Sequence, residues 1–215
     1  MLGYGSGRRV EGRGDGAFFT GLPAWVLAFR DRNDEARIVM DLTEAGCVVV
    51  CFASKVDALI AATCLRRMGR YCTVLPAGTI PAQQFRDADG RGLVADVHLG
   101  WATCGGRLLI RRDGMPARLG RVMHHWAQEP LRFGFDRDIL HEMDRLHERA
   151  GSFAWRETLQ DVSTWDSVRV RRVVDRALGL IEVARAEGSQ CGEVALFDPE
   201  FEQWHLVPGP GPADV

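Results

Sequence analysis

The run Cys47 to Phe52, CVVVCF, is six apolar residues long with no polar alternation, and it narrows what the chain can fold into. A strand that is apolar on both faces must be covered on both faces, as in a sheet held between helical layers. The next segment fits that demand. Val56, Leu59, Ile60, Thr63, Cys64 and Met68 recur at spacings of three and four, the signature of a helix with one apolar stripe, and Gly69 supplies its stop. Tyr71 to Leu75 predicts a second strand, running into a Pro76 to Pro81 loop. The whole is a strand, helix, strand unit, whose crossover is nearly always right-handed. Upstream, Asp34 onward predicts a helix with Ile38, Val39 and Leu42 on its apolar side and Gly46 as its end, and Phe18 to Phe29 predicts a strand or helix packed on the core.

Downstream, Leu93 to Val97 and Leu108 to Ile110 predict a third and a fourth parallel strand. Gly105-Gly106 and Asp113-Gly114 are also good hairpin turns, so residues 93 to 121 fit an antiparallel meander as an alternative. A helix carrying His124 and His125 comes next. Asp136 to Ala150 and Ser167 to Glu187 show helical apolar spacing, the latter followed by Gly188. Val194 to Phe197 and Trp204 to Val207 predict a short edge hairpin. The expected fold class is α/β: a mostly parallel, Rossmann-like sheet flanked by helices, with a helical C-terminal part. Residues 1 to 16, with six glycines, and 208 to 215, PGPGPADV, read as flexible, disordered tails on a single domain spanning 17 to 207.

Among 215 residues, 46% are hydrophobic and 26% charged, the balance of an ordinary globular chain. No apolar run reaches the ~18 residues of a membrane span and no signal peptide opens the chain, so the expected address is cytoplasmic, with no membrane partner. A net charge of −2 excludes a globally basic nucleic-acid binder. The six cysteines form no CxxC pair, and most lie in apolar segments, so they read as free thiols. Neither a disulfide framework nor a zinc site is expected. No cofactor is expected either.

In an open α/β sheet, ligands bind beyond the carboxyl ends of the strands, which places chemistry on the loops after Phe52, Pro76, Val97 and Ile110. The first of these, Ala53 to Asp57, has no glycine to cradle a phosphate, so Walker and dinucleotide loops are excluded. It holds Lys55, the single lysine among 27 basic residues.

Apolar strand, polar turn ending Asp57-Ala58-Leu59, small-residue helix with Ala61 and Ala62, and Gly69 before the strand Tyr71 to Leu75 resemble the opening of the DHH phosphoesterases, the superfamily of RecJ nucleases. The resemblance covers about residues 36 to 116. It lays the family's HxxDxD motif on Phe52, Lys55 and Asp57, its second-motif aspartate on Asp96, and its DHH signature near Arg111, Arg112 and Asp113. Active members hold two metal ions between those Asp and His side chains. A lysine and an arginine at such positions repel a divalent ion, so the resemblance implies lost metal ligands, with Lys55 and Arg111 neutralising Asp57 and Asp96. The chain is then similar to degenerate DHH domains that serve as scaffolds of the DNA replication machinery, with MCM helicase and GINS subunits of the CMG complex as partners and single-stranded DNA as a weak ligand.

Two alternatives stay open. One is a metal-dependent phosphoesterase or nuclease using Asp57, Asp96 and Asp113 or His98. The other is an unrelated Rossmann-like small-molecule enzyme whose substrate meets Lys55. Trp101, with Arg107, Arg111 and Arg112, is a candidate platform for stacking nucleic-acid bases. His141 and His147 stand six apart on one helix, the wrong spacing for a zinc pair.

Overall fold

The computed structural model describes residues 21–31, 33–126, 133–186 and 192–209. The expected tail over 1–16, residues 210–215 of the other, and Gly188 lie outside them. The described chain is mixed α/β: strands β1 (Trp25–Arg30), β2 (Ala36–Ile38), β3 (Met40–Thr43) and β4 (Gly46–Phe52), helix α1 (Lys55–Arg67), strands β5 (Cys72–Pro76), β6 (Gly92–Cys104), β7 (Arg107–Ile110) and β8 (Arg118–Trp126), helices α2 (Arg137–Arg149), α3 (Trp155–Thr164) and α4 (Ser167–Leu180), and strands β9 (Val183–Arg185), β10 (Glu193–Asp198) and β11 (Gln203–Pro208).

All described strands join one sheet. The coarse expectation of an α/β sheet with helices on its faces is met. The pairing is mixed rather than mostly parallel: β4 with β6 and β7 with β9 are parallel, and the other pairings are antiparallel. Two local causes account for this. Gly105 and Gly106, both at positive φ, close a two-residue hairpin between β6 and β7, too short for a crossover. β1 inserts antiparallel between β4 and β5, so the strands on either side of α1 are not neighbours.

Val48 to Phe52 are buried to 1% or less, as a run apolar on both faces requires. One core layer, on the side of α1 and α4, gathers Val50, Phe52, Ile60, Leu65, Trp101, Val173 and Val174. The other, on the side of α2, gathers Val49, Cys51, Val97, Leu99, Ile139, Met143 and Leu146. Alternate residues of β4 feed opposite layers. α3 reaches both, with Leu159 in the second and Val162 in the first.

Three local expectations are corrected. Asp34 to Gly46 is not a helix but β2 and β3, and Gly46 at φ 92° turns the β3–β4 hairpin. His124 and His125 lie on β8, where neighbours point to opposite faces: His124 meets Asp87 at 3.0 Å and His125 packs edge-on to Phe133. The last long helix stops at Leu180, after which β9 joins the sheet beside β7. The reading of all cysteines as free thiols also fails, since Cys104 is disulfide-bonded, whereas Cys47, Cys51, Cys64 and Cys72 are free. Among the described residues no helix is long and apolar enough to cross a membrane.

Candidate functional site

β6 is the longest strand, and two strands share one of its edges from opposite directions. β4 runs parallel to it as far as Phe52 opposite His98. β10 runs antiparallel to it as far as Ala195 opposite Trp101. β4 and β10 therefore approach each other head to head at Leu99 and Gly100, where β4 ends and β10 parts from β6 while staying paired with β11 as far as Asp198. A cleft opens at that gap, lined by Ser54 and Asp57 at the start of α1, by His98, and by residues of α2, α3 and the β10–β11 loop.

The other edge of β6 shapes the site as well. Against β8 the register slips between His98 and Gly100, a β-bulge that accommodates Leu99 as an extra residue. Leu99 keeps the side of Ala95 and Val97 in the α2-side core, and the bulge reverses the alternation beyond it, so Trp101 falls on the same side as His98, ring centroids 4.1 Å apart. Trp101 Nε1 then donates to Asp57 Oδ1 at 2.8 Å. Gly100 lets β10 pack closely, because a Cβ there would lie 2.4 Å from Val194 Cγ1 and force that side chain of β10 to shift.

Ser54 caps α1, its hydroxyl accepting the Asp57 amide at 3.2 Å. Burial pushes the Asp57 carboxyl up to about 6, against the lowering pull of its hydrogen bonds with Trp101 and Ser54. Burial, reinforced by the Arg118 charge, holds His98 well below the ordinary histidine range, so its imidazole is neutral at pH 7. His98 Nε2 stands 3.9 Å from Asp57 Oδ2, and its Nδ1 is buried without a partner. His147 stacks flat on Trp155 at 4.7 Å and 6°, and burial pushes it down to about 4. Its Nδ1 also lacks a partner. Asp198 uses Oδ1 to accept the amides of Glu200 and Phe201 and turns Oδ2 to within 3.9 Å of His205 Nε2. The cleft thus combines carboxylates with neutral imidazoles, groups that accept hydrogen bonds and protons.

A second polar cluster contains other sequence-predicted residues. The Arg118 side chain, 4% exposed, pairs with Asp96 and reaches Asp41 at 3.1 Å. Arg111 bonds Asp41 at 2.8 Å and Asp113 at 2.9 Å. Burial raises the Asp41 carboxyl, but the guanidinium groups of Arg111 and Arg118 outweigh it and hold the group below its usual range. Gly120 makes room for the pair, since a Cβ there would sit 2.5 Å from Asp96 Oδ1.

Neither expected ion pair forms: Lys55 does not meet Asp57, and Arg111 pairs with Asp41 and Asp113 rather than Asp96. Asp96 is neutralised by Arg118, which the sequence reading passed over. Lys55 turns from Asp57 to the carbonyl of Trp165 at 3.2 Å and lies 5.3 Å from the Trp25 ring centroid. Phe52 is fully buried beside His98, ring centroids 5.1 Å apart. Trp101 is fully buried too, so it cannot stack on a nucleic-acid base, and that expectation is withdrawn. Arg107 and Arg112 are exposed. Asp57 and His98 come together, whereas Asp96, Arg111 and Asp113 belong to the second cluster.

His147, Asp198, His205, Asp41 and Arg118 were missed as functional residues. Val194 to Phe197 and Trp204 to Val207 implied a turn between them, but nothing in the sequence brings that turn to Asp57. No protein-family model, curated protein or solved structure matches the chain.

Proposed function

We propose that this chain is a binding protein rather than a hydrolase, with the carboxylates of Asp96 and Asp41 committed to internal partners. The observation that carries the reading is the pairing of Asp96 with the buried guanidinium of Arg118, which also reaches Asp41. Two-metal hydrolysis needs carboxylate lone pairs free to ligate cations. Here those lone pairs face a fixed positive charge, and a divalent ion would have to displace an arginine that is 4% exposed. Asp57 gives one of its two oxygens, Oδ1, to the Trp101 indole.

The narrower form of the proposal is a DHH-like scaffold of the replication machinery, with helicase and GINS subunits as partners and single-stranded DNA as a weak ligand. It is supported by the sequence resemblance over residues 36 to 116 and by the parallel pairing of β4 with β6, which sets the strand before Asp57 beside the strand of Asp96. The antiparallel β1 between β4 and β5, and the short β6–β7 hairpin, weigh against a fully parallel core of that family.

The test has two arms on the full chain. Incubation with single-stranded DNA and manganese is expected to leave the DNA intact, and tagged protein in an extract of its source organism is expected to retain helicase or GINS subunits. Digestion that vanishes in Asp96→Ala would overturn the binding-protein reading. Failure to retain those subunits, with the DNA intact, would overturn the replication form alone.

A further inference from the structure

We propose that the cleft between the ends of β4 and β10 binds a small protonated amine with an apolar body, its ammonium against Asp57 and its body on Leu159 and Leu196. This goes beyond the scaffold reading and does not depend on it.

Charge selects the ligand class. Among the described residues no lysine or arginine lines the cleft, whereas Asp57 and Asp198 both do. A phosphate, carboxylate or nucleotide would meet two carboxylates and no cation. The partial positive charge at the start of α1 does not reverse this, because Ser54 caps it and Asp57 stands in its first turn.

The unused polar atoms point the same way. An ammonium has three donors and no acceptor, so its site must supply acceptors. Oδ2 of Asp57 is left for it once Trp101 has taken Oδ1. A neutral imidazole offers one lone pair, and His98 and His147, both lining the cleft, each keep Nδ1 buried without a partner. Burying such an atom unpaired costs about 1–3 kcal/mol, a penalty relieved only by a ligand donor that reaches it. His98 is only 4% exposed, so this unpaired nitrogen lies inside the fold. Leu159 and Leu196 supply apolar wall on the α2 side of the sheet, which an alkyl or aryl body covers and a bare ammonium ion does not. Among the described residues no three His, Cys, Asp or Glu side chains are grouped to hold a metal, which separates this site from a metal centre.

The experiment is isothermal titration calorimetry of the full chain at about pH 7.5, with benzylamine, its neutral relative benzyl alcohol, benzoate and inorganic phosphate as probes. Saturable binding of benzylamine in preference to the other three is expected. Asp57→Asn, which keeps an acceptor for Trp101, is expected to weaken it about tenfold or more, the size of a lost charged hydrogen bond. Ser152→Trp, placed on the cleft wall away from the sheet, is expected to abolish binding by filling the space, with the unfolding midpoint as its folding control. Benzoate or phosphate binding as tightly as the amine, undiminished binding in Asp57→Asn, or no heat from benzylamine would each overturn the proposal.

Discussion

Replacing Asp57 by asparagine should make the protein more stable at neutral pH, and the gain should vanish in acid. Asp57 ionises near 3.8 in an unfolded chain and at about 6 in the fold, where burial opposes its charge. A carboxyl raised in this way holds its proton more tightly in the native state. Its favourable contribution is therefore complete below about pH 4 and lost as pH climbs through 6. Above that, the charge costs on the order of 2–3 kcal/mol, allowing for the 17% of the side chain that stays exposed. Asparagine carries no charge and keeps an oxygen for the Trp101 indole.

Urea unfolding of both proteins at pH 7.5 and pH 4 isolates the effect, since Asp41 and His147, which do not touch Asp57, titrate in both and cancel in the difference. The variant is expected to be more stable by about 2 kcal/mol at pH 7.5, with the difference closing toward pH 4. An equal gap at both pH values, or a less stable variant at neutral pH, would refute the reasoning. A residue kept at a cost to stability, inside a cleft, is one that binding or chemistry retains.

Other perturbations test the two clusters separately. Arg118→Met strands Asp96 as an unpaired, buried carboxylate, Asp41 keeping Arg111, and should lower unfolding free energy by about 3–5 kcal/mol, with Asp96→Asn added to it restoring part of the loss; urea titrations read both, and a loss below about 1 kcal/mol would contradict a tight pair. Gly100→Ala drives a methyl to 2.4 Å from Val194 Cγ1 and should cost about 1–3 kcal/mol while loosening β10; faster hydrogen exchange at the amides of Val194 and Ala195 would report it, and unchanged exchange would count against the head-to-head arrangement.

Much of this molecule was legible wherever burial alone dictates the pattern. CVVVCF could only be a strand covered on both sides, and the stripe Val56 to Met68 could only be a helix covering it. The β10–β11 hairpin was legible from two apolar runs flanking a turn. The error at Asp34 to Gly46 has a physical cause: Ile38, Val39 and Leu42 fit a helical spacing over too few residues to exclude strands, and a glycine at positive φ ends a helix or turns a hairpin equally well. That error hid Asp41, which a helix would have carried away from Arg111 and Arg118. The cleft was half legible. Asp57 and His98 were found as loop-end and strand residues, but the bulge at Leu99 is a tertiary event, and without it Trp101 would face the opposite core. Nothing local brings Asp198 and His205, about a hundred residues later, to the same gap.

The central claim is that the buried Arg118 guanidinium commits the carboxylates of Asp96 and Asp41 to an internal ion-pair cluster and leaves them closed to a divalent ion. Calorimetric titration of manganese into the full chain at neutral pH tests it most directly. The account predicts no saturable binding in the native protein. Stoichiometric manganese binding that is lost in both Asp96→Ala and Asp57→Ala would contradict it.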